Sequence, residues 1–142
     1  MFDTTLTTIG GTVWLAMAGL ALWAGGPTER LATGALLIGW LITLSAHVVV
    51  DPLDRASVSP IIMTADAFQL VLFLVLARDL SRTWMAAAAA CLAAIVLTQV
   101  ISWLDPDVLS IGYLVTQSAL SFGVMICLVY GALRVRAFKT AA

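Results

Sequence analysis

Charged residues in this chain fall in small clusters, and the stretches between clusters are nearly equal in length. No charge lies between Asp3 and Glu29, between Arg30 and Asp51, between Arg82 and Asp105, or between Asp107 and Arg134. The interval from Arg55 to Arg78 holds only Asp66. Each interval admits a helix of roughly 20 residues, the length that crosses a hydrocarbon core of about 30 Å. The spacing therefore predicts an all-α, polytopic transmembrane bundle, a single domain over residues 1–142, with five spans near 6–24, 31–50, 58–77, 83–104 and 108–133. Composition agrees. The chain is 62% hydrophobic and 11% charged, with a mean hydropathy of +1.06, too few charges to cover a surface that faces water. The expected surroundings are a lipid bilayer. A net charge of -1 gives no reason to expect nucleic acid.

The basic residues set the orientation. With five spans and an outside N-terminus, Arg30, Arg78, Arg82, Arg134, Arg136 and Lys139 all fall on the inside and only Arg55 falls outside. Positive charge accumulates on the cytoplasmic side of membrane proteins, so the N-terminus is expected outside and the C-terminus in the cytoplasm. Such compactness and charge bias suit a bacterial inner membrane. The segment before the first apolar run contains Asp3 and no Lys or Arg, unlike the basic start of a secretory signal.

Short connections are expected between the spans. Gly25-Gly26-Pro27 breaks the first helix, with Thr28 as a candidate cap for the second. Ser59-Pro60 reads as an N-cap followed by proline in the first helical position, and Asp107 as a cap for the fifth helix. Arg134 to Ala142 reads as a short basic tail. Trp84 and Trp103 bracket the fourth span and suggest two interfacial belts. Trp14 and Trp40 fall near mid-span, where they fill gaps between helices or face lipid tails. Ala35 with Gly39, and Ala119 with Gly123, have the small-xxx-small spacing that lets helix backbones approach.

The polar residues inside the spans are the candidate functional residues. A central Asp costs about 2.5–3.5 kcal/mol on insertion scales, and the Leu, Ile, Val and Phe residues around Asp66 return about 0.3–0.6 kcal/mol each. Insertion thus tolerates Asp66 without explaining it. Asp66 and Gln69, three residues apart, share a helix face. His47, Thr98, Gln99, Ser102, Ser110, Gln117 and Ser121 fall in the same outer half of the predicted bundle. Asp66, Gln69, His47, Gln99 and Gln117 together suggest an ion- or ligand-binding pocket open to the outside, with His47 and Arg55 as possible partners for the carboxylate. The plainer reading is a set of interhelical hydrogen bonds.

Other chemistry is excluded by inventory. One His makes neither a bis-His haem site nor a His-rich zinc site. Cys91 and Cys127 lie in apolar helix and read as small hydrophobes. No nucleophile-base set or phosphate-binding glycine loop appears, so no catalytic residue, metal or cofactor is expected. Three functions remain. The first is an accessory or assembly subunit of a larger membrane complex. The second is a small oligomeric channel or transporter using Asp66. The third is a lipid- or quinone-binding enzyme or sensor. A protein partner or a homo-oligomer is expected in the first two cases.

Overall fold

A computed structural model describes residues 4–49, 55–78, 82–104 and 111–140, with side chains described over 9–46, 60–78, 82–104 and 115–138. Among these residues the fold is all-helical, with five helices and no strand: α1 Thr4–Ala24, α2 Pro27–Val49, α3 Arg55–Leu76, α4 Thr83–Leu104 and α5 Ile111–Thr140. Each helix packs on its neighbour in sequence, and α5 returns to α1, so the five close into a ring that α2 and α5 also bridge. The α4–α5 seam is the most extensive. Two helical segments, Thr83–Leu104 and Val115–Phe138, are long and apolar enough to cross a membrane. Ile9–Ala24 and Pro60–Leu76 are shorter apolar segments.

Each helix turns large apolar side chains outward, and alanines lie buried at the seams. Ala18, Ala21, Ala32, Ala88 and Ala132 are buried, whereas Ile9, Ile38, Phe68, Leu97 and Ile126, one from each helix, are exposed. Water would drive the opposite arrangement. Small residues at the seams let backbones approach and gain dispersion contacts, the mode of packing used where solvent and core are equally apolar. The interior is closed by Phe73, Met85, Leu92, Val124, Met125 and Leu128, all essentially inaccessible.

Several helix ends differ from expectation. Gly26, not Thr28, occupies the position before α2, and Pro27 is its first residue. The Gly26 amide donates to Glu29 Oε2 at 3.1 Å, a reciprocal cap of the capping-box kind with glycine in place of serine or threonine. Helix α3 begins at Arg55, so Pro60 sits in its sixth position rather than its first. Proline there removes one amide donor, a loss confined to the bond that would reach back four residues, and the helix runs through it. The basic tail is also helical, since α5 continues to Thr140. At 30 residues it is about 45 Å long.

The tryptophans divide differently as well. Trp103 is exposed, but Trp84 is only 7% accessible and belongs to the interior rather than to a belt. Trp14 and Trp40 stack on each other across the α1–α2 seam, with ring centroids 5.6 Å apart and planes 25° apart. Asp107 and Ser59 lie outside the residues whose side chains are described.

Candidate functional site

The polar residues of the bundle form two groups, one in the middle of the helices and one at the end where α1 meets α2 and α3 meets α4. The mid-helix group starts from Asp66. Because α3 begins at Arg55, Asp66 lies about 16 Å along the helix, near its centre. Its Oδ2 accepts a hydrogen bond from Gln99 Nε2 of α4 at 2.5 Å. Gln99 is only 7% accessible, and its Oε1 is buried with no hydrogen-bond partner among the described residues. One turn further round, Gln117 of α5 donates from Nε2 to Thr98 Oγ1 at 3.0 Å and to the Ile95 carbonyl at 3.3 Å. Thr98 in turn donates to the Ile95 carbonyl at 2.8 Å, and Ser102 to the Gln99 carbonyl at 3.0 Å.

Asp66 and Gln69 do not serve one seam. Asp66 reaches α4, whereas the buried Gln69 amide lies against Gly39 of α2, where a Cβ would collide with it. A side chain at position 39 would displace the Gln69 amide from this place, so the small residue expected there from the Ala35–Gly39 spacing faces a polar group. Asp66 with Gln99 thus tie α3 to α4, and Gln117 with Thr98 tie α4 to α5. The side chain of His47 lies outside the described residues, as do those of Arg55 and Ser110. Cys91 and Cys127 are both half-buried thiols, and Gly123 of α5 abuts the Cys91 sulfur.

The second group centres on Glu29, which the charge pattern marked only as the edge of a span. It is completely buried. Its Oε1 accepts from Arg82 Nη1 and from Trp84 Nε1, each at 3.3 Å, and its Oε2 accepts the Gly26 amide. A carboxylate removed from solvent is strongly destabilising unless paired and hydrogen-bonded. Here one acid satisfies the start of α2, the indole at the start of α4 and the Arg82 guanidinium. Thr33 adds a bond to the Glu29 carbonyl at 2.7 Å. Gly131 of α5 presses on the Trp84 ring so closely that a Cβ would overlap it, and Arg134 Cζ lies 5.6 Å from the centroid of the same ring. Arg30 Nε donates to the Leu22 carbonyl at 2.9 Å, covering the end of α1. Arg136 stacks on Trp23 at 3.7 Å.

The sequence did hold a local signal for Glu29. Gly-Pro-x-Glu puts an acid at the third helical position after a proline, the reciprocal half of a capping box. Its partners Arg82 and Trp84 carried no such signal, being more than 50 residues away.

Among the described residues no three His, Cys, Asp or Glu side chains gather as a metal site. The chain matches no protein-family model, no curated protein and no solved structure.

Proposed function

We propose that the chain is a five-span integral membrane protein of a bacterial inner membrane, with its N-terminus outside and its C-terminus in the cytoplasm. In this reading it acts as a non-enzymatic accessory or assembly subunit of a larger membrane complex. The observation that carries the subunit role is the use made of the polar side chains. Asp66 with Gln99, and Gln117 with Thr98, join neighbouring helices, around an interior filled by Phe73, Met85, Leu92, Met125 and Leu128. Side chains paired across seams hold a scaffold together, whereas a conduit needs them turned toward a continuous wet path. The mantle of large apolar side chains on all five helices supports membrane residence and offers contact area to lipid or to other spans. Mild solubilisation from the native membrane, followed by affinity capture, is expected to recover a stoichiometric partner protein. A lone homo-oligomer that carries solute across liposomes would contradict the reading.

A second reading is favoured by one specific observation. Among the described residues Gln99 Oε1 is buried without a partner beside the Asp66 carboxyl. An orphaned acceptor next to an acid suits a small hydrogen-bond donor, whether a proton carrier or a polar ligand. Under this reading Asp66→Asn abolishes flux or ligand binding, while under the subunit reading it leaves assembly intact.

A further inference from the structure

The Glu29 end of the bundle is rich in positive charge. Arg30, Arg78, Arg82, Arg134 and Arg136 lie there, and among the described side chains Glu29 is their one acidic counterpart. Glu29 takes Arg82 at 3.3 Å, and Arg136 is stacked on Trp23. Arg134 is placed differently. It projects from α5 beside a cavity of about 350 Å³ lined by Arg82, Trp84, Arg134, Val135 and Phe138. Its Cζ lies 5.6 Å from the Trp84 ring and 5.9 Å from the Phe138 ring. A guanidinium near two aromatic rings is attracted to them through its charge, and the fork of N–H donors that a guanidinium carries matches phosphate oxygens two at a time. Helix α4 starts at the rim of the same cavity, at Thr83, so its dipole adds partial positive charge there. The other side of the lining is apolar. Val135 is half-buried, and Phe138 is exposed and continues into the outer apolar surface of α5 with Tyr130 and Leu133.

We propose that this cavity binds a phosphate group of net negative charge, with Arg134 as its principal ligand and the apolar wall receiving the part of an anionic phospholipid next to its headgroup. A basic pocket between helices at a cytoplasmic surface is where anionic headgroups are held. A free phosphate ion shares the chemistry of the polar half but not that of the wall. The proposal rests on the membrane reading and its orientation but needs no partner protein, so it stands or falls separately from the subunit role.

Native mass spectrometry of the detergent-purified full chain, titrated with phosphatidylglycerol or phosphatidylcholine, tests it. The wild-type protein is expected to retain phosphatidylglycerol in preference to phosphatidylcholine. Arg134→Gln is expected to weaken that retention about tenfold, the loss of one charge-assisted hydrogen-bonded contact. Arg136→Gln, which removes an equal charge from the same helix outside the cavity, is expected to leave it within about twofold of wild type, since exposed charges away from a contact contribute little. Phe138→Glu changes an exposed residue and places a carboxylate against Arg134, so it is expected to displace the lipid even if Arg134→Gln does not fold. Competition by millimolar inorganic phosphate would assign the site to the free ion, and indifference to it would assign the site to the lipid. Equal retention of both lipids, equal loss in Arg134→Gln and Arg136→Gln, or full retention in Phe138→Glu would overturn the proposal.

Discussion

Glu29 and Asp66 are two acids in apolar surroundings, solved in different ways. Glu29 has three donors on its two oxygens, from Gly26, Arg82 and Trp84. Glu29→Ala leaves the Trp84 indole and the Gly26 amide without this acceptor, at about 1–3 kcal/mol for each buried group, and removes the Arg82 ion pair. Glu29→Gln keeps an acceptor oxygen and is expected to lose less than half as much. Thermal melting in detergent, ranking wild type above Glu29→Gln above Glu29→Ala, checks this. Asp66 has a partner with one unused atom. Asp66→Asn would accept from Gln99 Nε2 and donate to Gln99 Oε1, the orphan. Stability is then expected to stay level or rise by about 0.6 kcal/mol, the average for such bonds in membranes, whereas Asp66→Leu lowers it. The same melting measurement decides, and a large loss in Asp66→Asn would show that the bond needs the carboxyl. Asp66, Gln99 and Gln117 were legible in the sequence because polar residues stand out in apolar runs. Glu29 was not, because it sits beside Arg30 at a span edge, where charge looks solvated. Its burial depends on Arg82 and Trp84 arriving from another helix, which no local pattern records.

The elements follow the charge-free intervals closely, and where they depart from them the reason is the same. Helix α2 starts at Pro27 instead of residue 31, α3 at Arg55 instead of 58, and α5 runs on to Thr140. Hydropathy reports where the surroundings must be apolar. A helix ends where its hydrogen-bond ladder ends, and Glu29, Arg134 and Arg136 carry good helical backbone past that limit. This matters for function, because the extra turns of α5 bring Arg134 and Phe138 to Trp84. The α4–α5 seam at this point depends on Gly131, whose missing side chain admits the Trp84 ring. Gly131→Ala is expected to cost about 1–3 kcal/mol through overpacking and to shift the emission of Trp84 as the ring is pushed from its place against Glu29. Gly19→Ala in α1, where nothing stands within 4 Å of the added carbon, is expected to be neutral or stabilising by less than about 1 kcal/mol. Equal melting temperatures for the two variants would remove the close approach from the account.

At the scale of the molecule, the ring of helices explains why a chain with so little charge needs its few polar groups at the seams. In the proposed bilayer the hydrophobic effect provides no preference for one neighbouring helix over another. Close approaches at Gly39, Gly123 and Gly131, and the hydrogen bonds of Asp66, Gln99 and Gln117, provide it instead. The concentration of arginines at the Glu29 end then gives the bundle a direction, on which the proposed five spans and the phosphate site both depend. The most direct test is to place the two termini. Self-labelling tags at each end, probed in intact cells with a membrane-impermeant dye, are predicted to react at the N-terminus and to react at the C-terminus only after permeabilisation. Labelling of both ends, or of neither, in intact cells would contradict the account, because an odd number of crossings cannot leave both ends in one compartment.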